Sequence, residues 1–144
     1  MNNKLVLISG VIVLYYPELN VVDNINSYID YVDILFVIDN SETANTDFVN
    51  LLLSNPKICY ISNNQNLGIA KALNQGAELA IQKNFSWLLT MDQDSRFEDD
   101  NAKYFFNCFD KLENLNEIAI ICANRKLATN FDKATKNMPN FLHF

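Results

Sequence analysis

Four apolar runs recur along this chain, and each of them ends in a polar cluster. Residues 5–14, 33–39, 58–61 and 86–91 are rich in Ile, Leu, Val and aromatic side chains, with room for a helix between each pair. The first two runs are apolar at nearly every position instead of every second one. That pattern suits strands buried on both faces, which occur in parallel sheets covered by helices. Residues 5–16 are too short to span a bilayer, which takes about 20 apolar residues. They also make a poor signal peptide, because Lys4 is a weak basic region and no small-residue cleavage site follows.

The intervening stretches read as helices. Pro17 and Glu18 open the first, with Leu19, Val22, Ile25 and Ile29 at helical spacing. Residues 46–54 form the second, ended by Asn55-Pro56. Residues 68–83 form the longest, with an apolar stripe of Ile69, Leu73, Ala77, Ala80 and Ile81. Its small residues, Gly68, Ala70, Ala72, Gly76 and Ala77, let it approach a sheet closely. Glu98-Asp99-Asp100 open a fourth helix with Phe105, Phe106, Phe109 and Leu112 inward, and residues 118–122 read as a fifth strand. This alternation predicts an α/β fold, a mainly parallel sheet covered by helices, as one domain over residues 1–144.

In such sheets ligands bind beyond the carboxyl ends of the strands. The polar clusters stand at those ends: Tyr15-Tyr16, Asp39-Asn40-Ser41, residues 63–68, and Asp92-Gln93-Asp94-Ser95. Asp92 and Asp94 are one residue apart, so in an extended segment both point to one side. Paired carboxylates suit Mg²⁺ or Mn²⁺, which take one or two protein carboxylates plus substrate phosphates. The plainer reading is a solvated acidic turn after a buried strand. Asp39 could likewise cap a turn, Asn66 could be the N-cap of the long helix, Tyr15 and Tyr16 could be strand-end packing, and Trp87 reads as core. Glu98, Asp99 and Asp100 suit a helix N-terminus better than a metal.

Several chemistries are excluded. The net charge is −6 with no basic stripe, which argues against nucleic acid. The three glycines, Gly10, Gly68 and Gly76, cannot compose a dinucleotide fingerprint or a Walker phosphate loop. The first strand also lacks the Gly-rich basic loop of a nucleotidyltransferase. Cys59, Cys108 and Cys122 show no zinc spacing, and Cys59 and Cys122 read as buried free thiols. His143, the lone histidine, sits in the tail and completes no Ser/His/Asp set.

Four blocks carry a resemblance: Val13-Leu14-Tyr15-Tyr16-Pro17, Val37-Ile38-Asp39-Asn40-Ser41, the stretch from Asn66-Leu67-Gly68 to Gly76, and Leu88-Leu89-Thr90-Met91-Asp92-Gln93-Asp94-Ser95. In order and spacing the chain resembles family 2 glycosyltransferases over roughly residues 5–122, most closely the bacterial rhamnosyltransferase branch. The resemblance implies a GT-A type fold, a Rossmann-like nucleotide-binding half that is incomplete at its C-terminus. It implies inverting transfer of a sugar from a nucleotide-diphosphate donor, dTDP-rhamnose or a UDP-sugar, to a saccharide or lipid-linked saccharide of a bacterial surface polysaccharide. It implies a divalent cation, Mg²⁺ or Mn²⁺. By position, Asp39, Tyr15 and Tyr16 would line the base pocket, and Asn66 and Gly68 would shape the loop beside the nucleotide. Asp92 would sit near the ribose or diphosphate, and Asp94 would be the main metal ligand.

Two departures stand out. Leu73 occupies a position that is Arg in many family members, with Lys71 as a substitute cation or a plain surface lysine. The catalytic base of the family follows the fifth strand, and Glu113, Glu117 and Asp132 read as surface charges, so no base is assigned. A non-catalytic nucleotide-sugar module, or a subunit of a larger transferase, is the alternative. A cytoplasmic protein, peripheral at the inner face of the membrane, is expected. Self-association through the apolar residues 141–144 is a further expectation.

Overall fold

The computed structural model describes residues 6–112 and 115–123. Four strands, β1 (Ile8–Leu14), β2 (Ile34–Asp39), β3 (Ile58–Ser62) and β4 (Trp87–Asp92), form one parallel sheet in the order β3-β2-β1-β4. Helices α1 (Asn20–Asn26), α2 (Thr46–Leu53) and α3 (Ile69–Gln82) connect them. The α/β reading and the parallel sheet with flanking helices hold. β1 and β2 are central and buried almost throughout, which is why their sequences are continuously apolar. β3 and β4 are the edges and are only half-buried.

The crossovers explain the two faces. From β1 to β2 to β3 the chain steps one way across the sheet; from β3 to β4 it returns past β1. Right-handed crossovers therefore put α1 and α2 on one face and α3 on the other. The α3 face buries Val11, Phe36 and Ile38 against Ala72 and Ala80, with Val13, Ile34, Cys59, Ile61, Leu73 and Leu88 packed around them.

The expected stripe of α3 is corrected by this packing. Ile69 and Ile81 are exposed, and the buried residues are Ala72, Gly76 and Ala80. A Cβ on Gly76 would lie 2.2 Å from Cγ2 of Val11, so the α3 backbone rests directly on the valine side chain. At that separation small residues fit and large apolar ones are displaced to the flanks. The stripe of the first helix shifts similarly: Val21, Ile25, Tyr28 and Ile29 are buried, Leu19 is exposed, and the helix starts at Asn20, three residues after Pro17.

The chain divides into two compact units, Met1–Lys103 and Tyr104–Phe144. A short helix α4 (Asn101–Phe106) runs across the boundary, ending well before the expected Leu112. In the second unit residues 118–122 form no strand, and Cys122 is exposed instead of buried. A segment with no ladder partner has its backbone groups unpaired by a sheet, and apolar character does not supply one. No helix among the described residues is long and apolar enough to cross a membrane. Glu113, Asp132, His143 and the apolar residues 141–144 lie outside the described residues.

Gly76→Ala tests the close approach. Alanine gains about 1 kcal/mol of helix propensity, but overpacking against a fully buried valine costs about 1–3 kcal/mol. A Cβ at 2.2 and 2.8 Å from Val11 atoms is too close for propensity to win. Urea denaturation should show a net loss, partly recovered in a chain that also carries Val11→Ala.

Candidate functional site

The strand order reverses between β1 and β4, and that switch point is where an open sheet leaves a crevice. A cleft of about 480 Å³ lies there, lined by Val13, Tyr15, Asn40, Asn66, Ile69, Asp92, Gln93 and Asp94. Register accounts for the lining. Val13 pairs with Asp92 across the β1–β4 ladder, so both point to the α3 face. Asp94 follows two residues later and is exposed like Asp92. Ile69 opens α3 beside them, behind Gly68, whose φ of 80° is a conformation that glycine adopts readily.

The electrostatics of the cleft are divided. Asp92 and Asp94 form no side-chain hydrogen bond or ion pair within the described residues; the one ion pair there joins Arg96 to Glu98 at 3.3 Å. Opposite them stands the N-terminus of the 14-residue α3, with no capping side chain and no acid in its first turn. Its free N–H groups and the helix dipole favour an anion. The donor set is oxygen only, which fits a hard divalent cation. Among the described residues no group of three or more His, Cys, Asp or Glu gathers to hold a metal. Two carboxylates would therefore leave most of the coordination to substrate phosphates and water.

Not every expected residue faces this cleft. Leu14 pairs with Asp39 on the β2 side while its neighbour Val13 pairs with Asp92 on the β4 side. Successive residues of a strand point to opposite faces, so Asp39 and Asp92 do too. Asp39 is 1% exposed and already engaged. Its Oδ1 accepts from the Ser41 backbone N–H at 2.8 Å and its Oδ2 from the Tyr60 hydroxyl at 2.6 Å. Burial, then the bond to Asp39, pushes the Tyr60 phenol above its usual range, so it remains a donor at neutral pH. Ser41 Oγ in turn accepts from the Tyr16 N–H at 2.8 Å and holds Tyr16 at a φ of 45°. Asp39 thus supports the loop after β1 from beneath. Tyr16 stands outside the lining with its ring edge-on to Tyr15 at 4.8 Å, and a hydrogen bond to Glu42 raises its phenol. Asn66 lines the cleft, but Gly68, not Asn66, is the N-cap of α3; Asn66 Oδ1 accepts from the Gly68 N–H at 2.9 Å. Lys71 is exposed on α3, and Leu73 is half-buried in the core, so neither side chain is among the cleft residues.

Four polar residues not assigned a site role from the sequence shape this region. Asn63 and Gln75 exchange two amide hydrogen bonds at 2.9 and 3.0 Å. Asn63 also donates to Asn40 Oδ1 at 2.8 Å, and Asn40 donates to the Gly68 carbonyl at 3.3 Å. This chain of amides ties the strand ends of β2 and β3 to the start of α3. Gln93 is the fourth. Asn63 and Gln75 are 12 residues apart on a loop and a helix, and no local pattern announces such a pair.

Tyr60→Phe removes the donor to a buried carboxylate oxygen and should cost about 1–3 kcal/mol in chemical denaturation. Unchanged stability would mean that this bond does not hold the β2 end.

Comparison with known proteins follows the same lines. No curated protein matches the chain at a significant level. The model of glycosyl transferase family 2 matches residues 10–141, which takes in the cleft and every polar cluster around it. With most of its length matched, and with a helix-flanked parallel sheet consistent with a GT-A fold, the chain belongs to the family 2 glycosyltransferases.

Proposed function

We propose that the chain is the donor-binding part of an inverting, cation-assisted glycosyltransferase, residues 1–144 acting as one nucleotide-sugar-binding domain. Its donor is a nucleotide-activated deoxysugar such as dTDP-rhamnose, and its acceptor is a growing bacterial surface polysaccharide. The observation that carries this reading is the pair of carboxylates, Asp92 and Asp94, unpartnered among the described residues and facing the uncapped start of α3 across one cleft. A nucleotide diphosphate needs both: a cation held by acids, and backbone N–H groups for the oxygens the cation leaves free.

In this reading Asp94 is the main cation ligand and Asp92 serves the cation or the ribose. Tyr15 offers a ring for the base, and Asn66 an amide at the mouth of the cleft. Gly68 lets the backbone turn tightly beside the phosphates. Asp39 and Tyr16 act on the base pocket; direct contact of Asp39 with a base requires its buried carboxylate to be uncovered. When bound, a divalent cation stabilises the charge that develops on the leaving diphosphate. The protein works in the cytoplasm at the inner face of the membrane.

A second reading has one observation in its favour. Among the described residues no carboxylate other than Asp92 and Asp94 lines the cleft, so these residues offer no separate base for the acceptor hydroxyl. A nucleotide-sugar-binding module or subunit would need none. Binding tests the feature common to both readings, and turnover separates them.

Calorimetric titration of dTDP and UDP, with and without Mn²⁺, is the direct test. Wild type should bind in a Mn²⁺-dependent way, and Asp94→Ala should weaken binding by about tenfold or more, the loss of one charge-assisted contact. Metal-independent binding, or equal affinity in the variant, would refute the assignment of Asp94.

A further inference from the structure

Where β4 runs into the acidic loop, the carboxylates of Asp92 and Asp94 make no side-chain bond among the described residues, while the residue between them makes several. Gln93 Oε1 accepts from the Tyr15 N–H at 2.9 Å, and Gln93 Nε2 donates to the Tyr15 carbonyl at 3.4 Å. The side-chain amide thus pairs with one residue of β1's exit as another strand would, just where the β1–β4 ladder stops at Asp92. The Gln93 carbonyl accepts from Nδ2 of Asn24, a residue of α1 that is 8% exposed. Four residues on, the Phe97 N–H donates to Ser27 Oγ at 3.0 Å, and Ser27 Oγ donates to the Asn24 carbonyl at 2.6 Å. The loop is therefore bound to α1 at Asn24, to its C-cap Ser27, and to Tyr15 just after β1, leaving Asp92 and Asp94 exposed.

We infer that Gln93 is a positioning residue: its side-chain amide locks the loop carrying Tyr15 to the loop carrying Asp92 and Asp94. The ring that meets the base and the carboxylates that meet the cation then keep a fixed separation. The inference rests on the donor-site reading given above. A free acidic loop would let two like charges move apart and would need ordering at each binding event. Three bonds through Gln93 supply that order beforehand, without using either carboxylate. A glutamate at this position would keep the acceptor for the Tyr15 N–H but lose the donor to its carbonyl and add a third acid. A methionine keeps the length and loses both side-chain bonds.

The test uses the full chain as wild type, Gln93→Met and Gln93→Glu. Three quantities are read: amide hydrogen exchange at Tyr15, Mn²⁺-dependent binding of dTDP and UDP, and melting temperature. Gln93→Met should speed exchange at Tyr15 about tenfold and weaken Mn²⁺–nucleotide binding about tenfold, the loss of one to two hydrogen bonds. Gln93→Glu should keep the Tyr15 protection. A merely structural tie would lower the melting temperature and leave the affinity of the folded protein unchanged; that result overturns the inference, as does unaltered exchange in Gln93→Met. If the methionine variant does not fold, the glutamate variant decides, because loss of its Tyr15 protection also overturns the inference. Should wild type bind neither nucleotide, the donor-site reading fails by itself. Affinity for Mn²⁺ alone across the same proteins then decides the role of Gln93, and equal affinities overturn it.

Discussion

Everything at the cleft depends on the central strand β1 and its two-residue alternation. β1 is bonded to β2 on one side and β4 on the other, and is buried on both faces. Its last residues decide which way each neighbouring carboxylate points: Val13 carries Asp92 to the α3 face, and Leu14 carries Asp39 to the opposite one. A slip of one residue in either ladder would reverse these assignments. Burial on both faces prevents the slip, because exchanging Val11 and Val13 for Ile12 and Leu14 would disrupt two tightly packed layers at once. The facing of a solvent-exposed acid is thus determined by the apolar residues of the strand beside it.

A second level of control comes from polar groups withdrawn from solvent. Asp39, Asn40 and Ser41 are all nearly fully buried. Buried polar groups are tolerable only when satisfied, and satisfied networks have few alternative geometries. Here the partners are spread over distant segments: Tyr60 on β3, Asn63 after it, Gly68 at the start of α3, and Tyr16 after β1. The network therefore couples the loops around the cleft. Of its members Asn40 lines the cleft itself, while Asp39, on the opposite face of the sheet from Asp92, stands behind it.

Strands, helix order and the edge where the site forms could be read from the sequence, because they follow from where apolar residues run and where they stop. Strand bounds agree to within about three residues, and α2 to within one. Three features could not be read this way. The inward face of α3 is chosen by closeness to the sheet, so Gly76 and the alanines win over Ile69 and Ile81, which hydrophobicity alone prefers. The opposite facing of Asp39 and Asp92 follows from inter-strand register, which no single strand contains. The roles of Gln93, Asn63 and Gln75 arise from pairs 12 to 78 residues apart, and an amide side chain carries no local sign of its distant partner. The fifth strand shows the converse: residues 118–122 have the composition of a strand but no ladder.

The remaining constraint is charge. A protein of net charge −6 that receives a diphosphate must neutralise it locally. Among the described residues no Lys or Arg lines the cleft, and position 73 holds a core leucine. The start of α3 provides partial positive charge, about half an elementary charge by the usual helix-dipole measure. That is too little for a diphosphate and does nothing for Asp92 and Asp94. Under the donor-site reading a divalent cation satisfies both acids and phosphates at once. The acids attract a cation only weakly from open solvent, since two carboxylates leave most of its shell to water. The nucleotide, without a cation, meets two like charges. Under that reading each ligand would create the favourable site of the other, so their binding free energies would be coupled, and reciprocally so. A cleft unfavourable to either ligand by itself would, on the donor-site reading, be selective for the two together.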